Sequence, residues 1–280
     1  MTAQSGLSDW IGRREENFDL VSLRQASGMA AMFDLSQDPV MGDPLPPGWH
    51  WVFFAEMARQ SVLSKDGHAP RGGFLPPVEL PRRMWGGNRL TFHEPIRIGE
   101  EVRRDSEILS ITEKNGRSGQ LALVTVKHSY HASGGLALEE EHDIVYRSES
   151  KSGNKMPPGE QPIKPAQWSN VVDPDPVFLF RYSALTFNGH RIHYDTPYVT
   201  EVEGYPGLIV HGPLTATLLL ELVRRERPYE SIETVVIRAQ RPLFAGLRFR
   251  VEGFPTETGA NTWAVDSDGF VAMTADVTFA

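Results

Sequence analysis

Cysteine is absent from the 280 residues, which excludes disulfides, thiolate nucleophiles and cysteine-ligated metals together. No stretch approaches the roughly 18 uninterrupted apolar residues a membrane helix needs, and the first residues, MTAQSGLSDWIGRREENF, lack the apolar core of a secretory signal. A soluble cytoplasmic protein without membrane association is expected. Basic excess is also missing: the formal charge is −8, which argues against nonspecific binding to nucleic acid or to an acidic lipid surface. What remains for chemistry is His, carboxylate, hydroxyl and backbone groups. The 40% hydrophobic content is that of a folded chain able to bury one large core or two ordinary ones.

The densest concentration of such groups is Phe187-Asn188-Gly189-His190-Arg191-Ile192-His193-Tyr194-Asp195, too polar for a core segment and read as an active-site loop. Within twenty residues follows Pro206-Gly207-Leu208-Ile209-Val210-His211-Gly212-Pro213-Leu214, after which Leu214, Leu218, Leu219, Leu222 and Val223 recur at helical spacing. The pattern predicts a glycine-containing turn opening a helix over 213–225. The first N–H groups of such a helix lack intrahelical partners and lie at the positive end of its dipole, so an oxyanion can sit there; Gly212 otherwise reads as a helix-entry residue, and His211 beside it as a brace for the turn. An acid/base loop followed by an anion-stabilising turn suits reaction at a carbonyl or thioester. Asp195 reads either as a second carboxylate or as a cap on the turn before Pro197. His190-x-x-His193 lacks a third ligand at a recognisable spacing, so no metal is expected.

Residues 148–165, SESKSGNKMPPGEQPIKP, have no hydrophobic period and read as a linker between halves 1–147 and 166–280. Pro95, Gly99 and Arg103 in the first half match Pro242, Gly246 and Arg250 in the second at one constant offset. Each frame leads into strand-like sequence: Gln120 to Tyr130 and Leu136 to Arg147 in one half, and the alternation Val271, Met273, Ala275, Val277, Phe279 in the other. With a helix expected around Trp51 to Leu63, each half reads as one helix followed by antiparallel strands, an α+β architecture whose two sheets can pair edge to edge. Only the second half carries the histidine loop, so the first is read as a degenerate copy that shapes the pocket. Arg82-Arg83, with Arg71 and Arg89 nearby, offers cations for a phosphorylated ligand, and Arg181 and Arg191 are alternatives for meeting a carboxylate.

The run Phe180 to Asp195, together with Gly72-Gly73-Phe74-Leu75-Pro76-Pro77, Arg82-Arg83-Met84-Trp85-Gly86-Gly87 and His142-Asp143-Ile144-Val145-Tyr146-Arg147, resembles the MaoC-like double hotdog hydratases and dehydratases over nearly the whole chain. The similarity is greater to the branch holding 3-hydroxyacyl-thioester dehydratases and the itaconyl-CoA or mesaconyl-C4-CoA hydratases. Laid on the MaoC signature Asp-x-Asn-Pro-x-His, the His falls on His193, and Asn188 stands where an Asp is the rule. An amide cannot act as a base, so the resemblance implies that His193 moves the proton while Asn188 positions the water. It further implies Gly212 as oxyanion donor, His190, Arg191, Arg82, Arg83 and His211 as substrate contacts, an acyl-CoA substrate and no redox or metal cofactor. The expected activity is hydration of a short, dicarboxylic enoyl-CoA. Dehydration of apolar 3-hydroxyacyl thioesters is the family alternative, and thioester hydrolysis or passive acyl-CoA binding are the others. Hydrolysis would require a carboxylate to activate water at the carbonyl carbon, which Asn188 cannot supply. A double hotdog chain can stand alone as a monomer or assemble further.

Overall fold

The computed structural model describes residues 6–116, 119–148 and 157–280. One ten-stranded antiparallel sheet runs through the molecule. Its first-half strands are β1 (Arg14–Leu20), β2 (Arg82–Phe92), β3 (Glu101–Gly116), β4 (Gly119–Ala132) and β5 (Gly135–Arg147). The second half contributes β6 (Trp168–Val172), β7 (Ile232–Ala239), β8 (Phe249–Pro255), β9 (Gly259–Val265) and β10 (Val271–Phe279). Their order, β1-β3-β4-β5-β2-β7-β10-β9-β8-β6, sets the five strands of one half beside the five of the other and closes the seam between β2 and β7. Gly87 to Thr91 pair with Arg238 to Thr234 there, so neither half leaves its central edge unpaired. The expected strands over 120–130 and 136–147 are β4 and β5.

The described residues form three α-helices, α1 (Leu23–Met32), α2 (Pro176–Leu185) and α3 (Gly212–Glu226), of which α3 packs on the sheet and α1 packs on α2. Ser22 caps α1 by accepting from the Gln25 N–H, and Asp175 caps α2 by accepting from the Phe178 N–H, with Pro176 preset in its first turn. Buried Leu214, Ala216, Leu219, Leu220, Leu222 and Val223 set α3 against β6, β8, β9 and β10. They join Met29, Trp49, Leu90, Val102, Leu138, Leu179 and Val235 in one apolar core that crosses the seam.

The Pro, Gly and Arg frame is a structural repeat. Arg97 and Phe244, at corresponding places in the two frames, each make an isolated antiparallel bridge, to Pro44 and Ile209 respectively. Gly99 (φ +100°) and Gly246 (φ +76°) turn the chain back in the left-handed region that favours glycine.

The expected helix over Trp51 to Leu63 does not form. Single 3₁₀ turns, Trp49–Val52 and Gln60–Val62, stand in its place. Three consecutive aromatic residues there are drawn to two carboxylates far along the chain. The Trp49 indole N–H donates to Glu221 on α3 (2.8 Å), His50 lies 3.4 Å from Glu140, and the Trp51 indole N–H donates to Glu140 (2.9 Å). Phe54 then takes φ +58°, which no helix continues through. Tertiary anchoring overrides a helix-compatible sequence. Of the expected linker, 149–156 lie outside the described residues. The part from Pro157 onward lies along the second half, where Arg241 donates to the Pro157 carbonyl and Val271 to that of Glu160.

Candidate active site

A cleft of about 910 Å³ opens at the seam, lined from the first half by Trp51, Asp66, His68, Arg83, Trp85 and His142, and from the second by Asn188, His190, His193, His211 and Gly212. After α2 ends at Leu185, Phe187 takes φ +50° and the Asn188 N–H returns to the Ser183 carbonyl, turning the histidine loop under the helix end. The Asn188 Oδ1 accepts the His190 backbone N–H (2.9 Å), a local turn that fixes the loop. Arg191, Ile192 and His193 then form one 3₁₀ turn.

His193 is 7% exposed and hands its Nδ1 to the Ile209 carbonyl at 2.7 Å. Only a protonated Nδ1 can donate there, so Nε2 keeps its lone pair. Burial lowers the His193 pKa to about 4 against the small opposing pull of the Ile209 carbonyl, and the ring is neutral at ordinary pH. The His211 ring stacks on it at 3.6 Å, with its Nε2 2.8 Å from the Ser183 hydroxyl. Burial holds His211 far below the usual histidine range, and His193 and His190 add to the effect. His190 is pushed to about 2 by burial, then by His68 and His193. Three proton-poor rings, His190, His193 and His211, thus share the cleft with the ring of His68, which lies 4.0 Å from His190, while His190 lies 5.4 Å from His193, centroid to centroid.

Gly212 is the first residue of α3, so its N–H has no partner within the helix, and Pro213 removes the next donor. A Cβ on Gly212 would press on the Trp85 ring at 3.0 Å, so glycine lets the first-half indole close on the helix end.

The candidate arginines separate. Arg82 is engaged with Glu203 (Nε to Oε2 3.7 Å, and to its carbonyl) and lies over the Tyr205 ring. Arg83 lines the cleft half-buried, with no hydrogen bond or ion pair among the described residues. Arg191 is not on the cleft wall: it binds Asp195 (2.8 and 2.9 Å) and the Lys65 carbonyl, and it covers Tyr198. Asp195 accepts the Tyr198 N–H, the capping role. Arg71 donates to the carbonyls of Val78, Leu80 and Pro81, Arg89 pairs with Glu141 and Asp143, and Arg181 is exposed, so none of these three faces the cleft. Asp66 and His68 escaped the sequence reading, as did Ser183. The tripeptide Asp66-Gly67-His68 was the available signal, but only the fold brings it to His190, where Asp66, His68 and His190 set ligand-type atoms within 4.8 Å of one another.

Two hotdog units joined at β2 and β7, with one histidine cleft at the seam, define a double hotdog protein of the hydratase and dehydratase class. A Mycobacterium tuberculosis protein described as having a double hotdog fold superposes with TM-score 0.62 at 14% identity, over 98% of each chain. The hydroxyacyl-thioester dehydratase type 2 family matches residues 48–245, and the chain belongs to that family of MaoC-like enzymes. It is 47% identical over 271 residues, 96% of both chains, to the mesaconyl-C(4)-CoA hydratase of Chloroflexus aurantiacus. It is 30% identical to the mitochondrial hydroxyacyl-thioester dehydratase type 2 of Schizosaccharomyces pombe, over 78% of this chain and 80% of that one. Among the described residues no helix is long and apolar enough to cross a membrane.

Proposed function

We propose that the protein reversibly adds water to the double bond of a short dicarboxylic enoyl-CoA, of the itaconyl-CoA or mesaconyl-C4-CoA type. The observation that carries this reading is the fixed neutral tautomer of His193 beside a helix N-terminus in a cleft open to substrate. The thioester carbonyl accepts from the Gly212 N–H, which draws electrons from Cβ. Water reaches Cβ while giving a proton to the His193 Nε2, and the enolate is held at the helix end. Asn188 is left to hold the loop and, through its amide nitrogen, the water. The CoA thioester is the substrate, and these steps call on no cofactor.

Arg83 supports the dicarboxylic substrate. Burying a carboxylate without a partner costs several kcal/mol, and a half-buried cleft arginine with no ion pair of its own offers one. The close relative named as a mesaconyl-C(4)-CoA hydratase agrees with this. The apolar alternative draws on Met84, Leu121 and Ile144 on the same wall.

Itaconyl-CoA, mesaconyl-C4-CoA and crotonyl-CoA, each followed by product mass, separate these readings. Gain of one water on a dicarboxylic thioester is the expected result. In Arg83→Met, kcat/KM for that substrate should fall about 100-fold, the scale of one lost charged hydrogen-bond pair, while crotonyl-CoA changes little. Hydration of crotonyl-CoA alone would move the assignment to apolar chains. Free CoA would mean hydrolysis, and ligand retention without turnover a binding protein.

A further inference from the structure

Removing a proton from water and delivering one to Cα are two tasks, and the Asn188 amide can do neither. The first half brings a second titratable pair to the cleft. Ser64 to His68 form a closed turn, with the Ser64 N–H on the His68 carbonyl (2.8 Å) and the Gly67 N–H on the Ser64 carbonyl (2.9 Å). The Asp66 carboxylate accepts both the His68 backbone N–H (3.1 Å) and its Nδ1 (3.0 Å). This leaves Nε2 of a cleft-lining ring without a partner among the described residues.

The turn is locked to the catalytic loop. Arg191 donates its backbone N–H to the Asp66 carbonyl and its guanidinium to the Lys65 carbonyl, both at 2.9 Å. Gly67 (φ +92°) lies so close to Gly189 that a Cβ on it would run into the Gly189 carbonyl. Loop segments that merely cover a cleft do not need such a fit.

Resting on the hydratase reading, we propose that His68, oriented by Asp66, is the second catalytic residue, the acid that protonates Cα in hydration and the base that removes that proton in dehydration. Water's oxygen bonds to Cβ as its proton passes to the His193 Nε2, and the π pair becomes the enolate. The His68 Nε2–H then closes the Cα–H bond. His193 returns its proton to solvent and His68 takes one up, so the net change is one water added. Burial alone would raise Asp66, but the hydrogen bonds from the His68 side chain and backbone outweigh it and keep the carboxylate ionised, able to support an imidazolium. On one side His68 faces His190, with His193 and Arg83 behind it; on the other, Lys65, Arg82 and Glu203 line the adjoining hollow together with Arg71, Glu79 and Tyr198.

The test is the pH dependence of hydration by wild type, His68→Gln and Asp66→Asn, with thermal midpoints taken alongside. His68→Gln should lose about 100-fold in kcat with little change in KM, and its alkaline limb should vanish. Asp66→Asn should keep the limb but move it to lower pH, a displacement that a purely structural role would not produce. Partial rescue of His68→Ala by imidazole is expected. Wild-type rates and limbs in both variants overturn the assignment while leaving the hydratase reading intact. Loss of wild-type activity on chelation, restored by zinc, also overturns it, by putting a metal at Asp66, His68 and His190. A wild type that hydrates no thioester overturns both readings.

Discussion

The two halves turn on the same frame, yet they treat their buried polar groups in opposite ways. In the second half, His211 and Gly212 open a fifteen-residue helix, and His193 is left with an unshared lone pair on the cleft. At the corresponding place in the first half the chain makes one 3₁₀ turn, and its polar groups close on each other around Glu140, which is 3% exposed. That carboxylate accepts from Tyr130 (2.7 Å), Trp51 (2.9 Å) and Asn88, with His50 at 3.4 Å. Burial drives its pKa up, but the His50 contact and the nearby His128 and His142 more than offset this and keep it ionised. Donors gathered on one buried carboxylate hold structure, whereas a lone pair left facing the cleft can do chemistry. His50 Nε2 and Asn88 Oδ1 in that cluster, and Nε2 of His142, whose ring lines the cleft, have no hydrogen-bond partner among the described residues.

The contrast is broken most directly from the catalytic side. His193→Ala should lower kcat by about 10²- to 10⁴-fold, the usual worth of a general base, with the fold kept, as steady-state rates and a thermal melt would show. The first half should answer in the other currency. Glu140→Ala strands three donors, two of them fully buried, and should cost about 3 to 5 kcal/mol in urea unfolding, with the folded fraction keeping far more activity than His193→Ala. Gly67→Ala sits where the halves meet. Left-handed backbone and the Gly189 carbonyl both oppose a Cβ, so a loss of about 1 to 3 kcal/mol and a drop in kcat are expected together.

The smallest effect is shared by both halves. Burial lowers His193 and His142 to about 4 and His128 to about 3, against the ordinary 6.5. Between pH 6.5 and about 3 the unfolded chain therefore binds protons that the folded chain refuses, and stability falls as pH falls through that window. His128→Asn should flatten the slope of the urea midpoint against pH while leaving the activity profile in place.

Much of this was legible in the residues. Leu214 to Val223 keep a helical period because one face meets the sheet, and α3 follows it. The histidine loop stood out because Asn188, His190, Arg191, His193 and Asp195, five polar side chains in nine residues, have no place in a core. The proline and glycine frames marked the repeat because both turns need left-handed glycine. Trp51 to Leu63 misled because its helical compatibility is real but local, whereas Glu221 and Glu140, which claim Trp49 and Trp51, are far along the chain. Asp66 and His68 were invisible for the same reason: a three-residue turn carries no period, and its meaning comes from Gly189. The separation of Arg82 from Arg83 likewise depends on Glu203, which no spacing announces.

The seam between β2 and β7 also sets an order of events in time. Hairpins such as β3 with β4, or β4 with β5, join neighbours in the chain, whereas β2 with β7 and Gly67 with Gly189 join segments more than a hundred residues apart. Local pairings form first because closing a long loop costs more entropy before any contact rewards it. On dilution from denaturant, β-sheet circular dichroism should return before hydratase activity, and the delay is the time the two halves take to find each other.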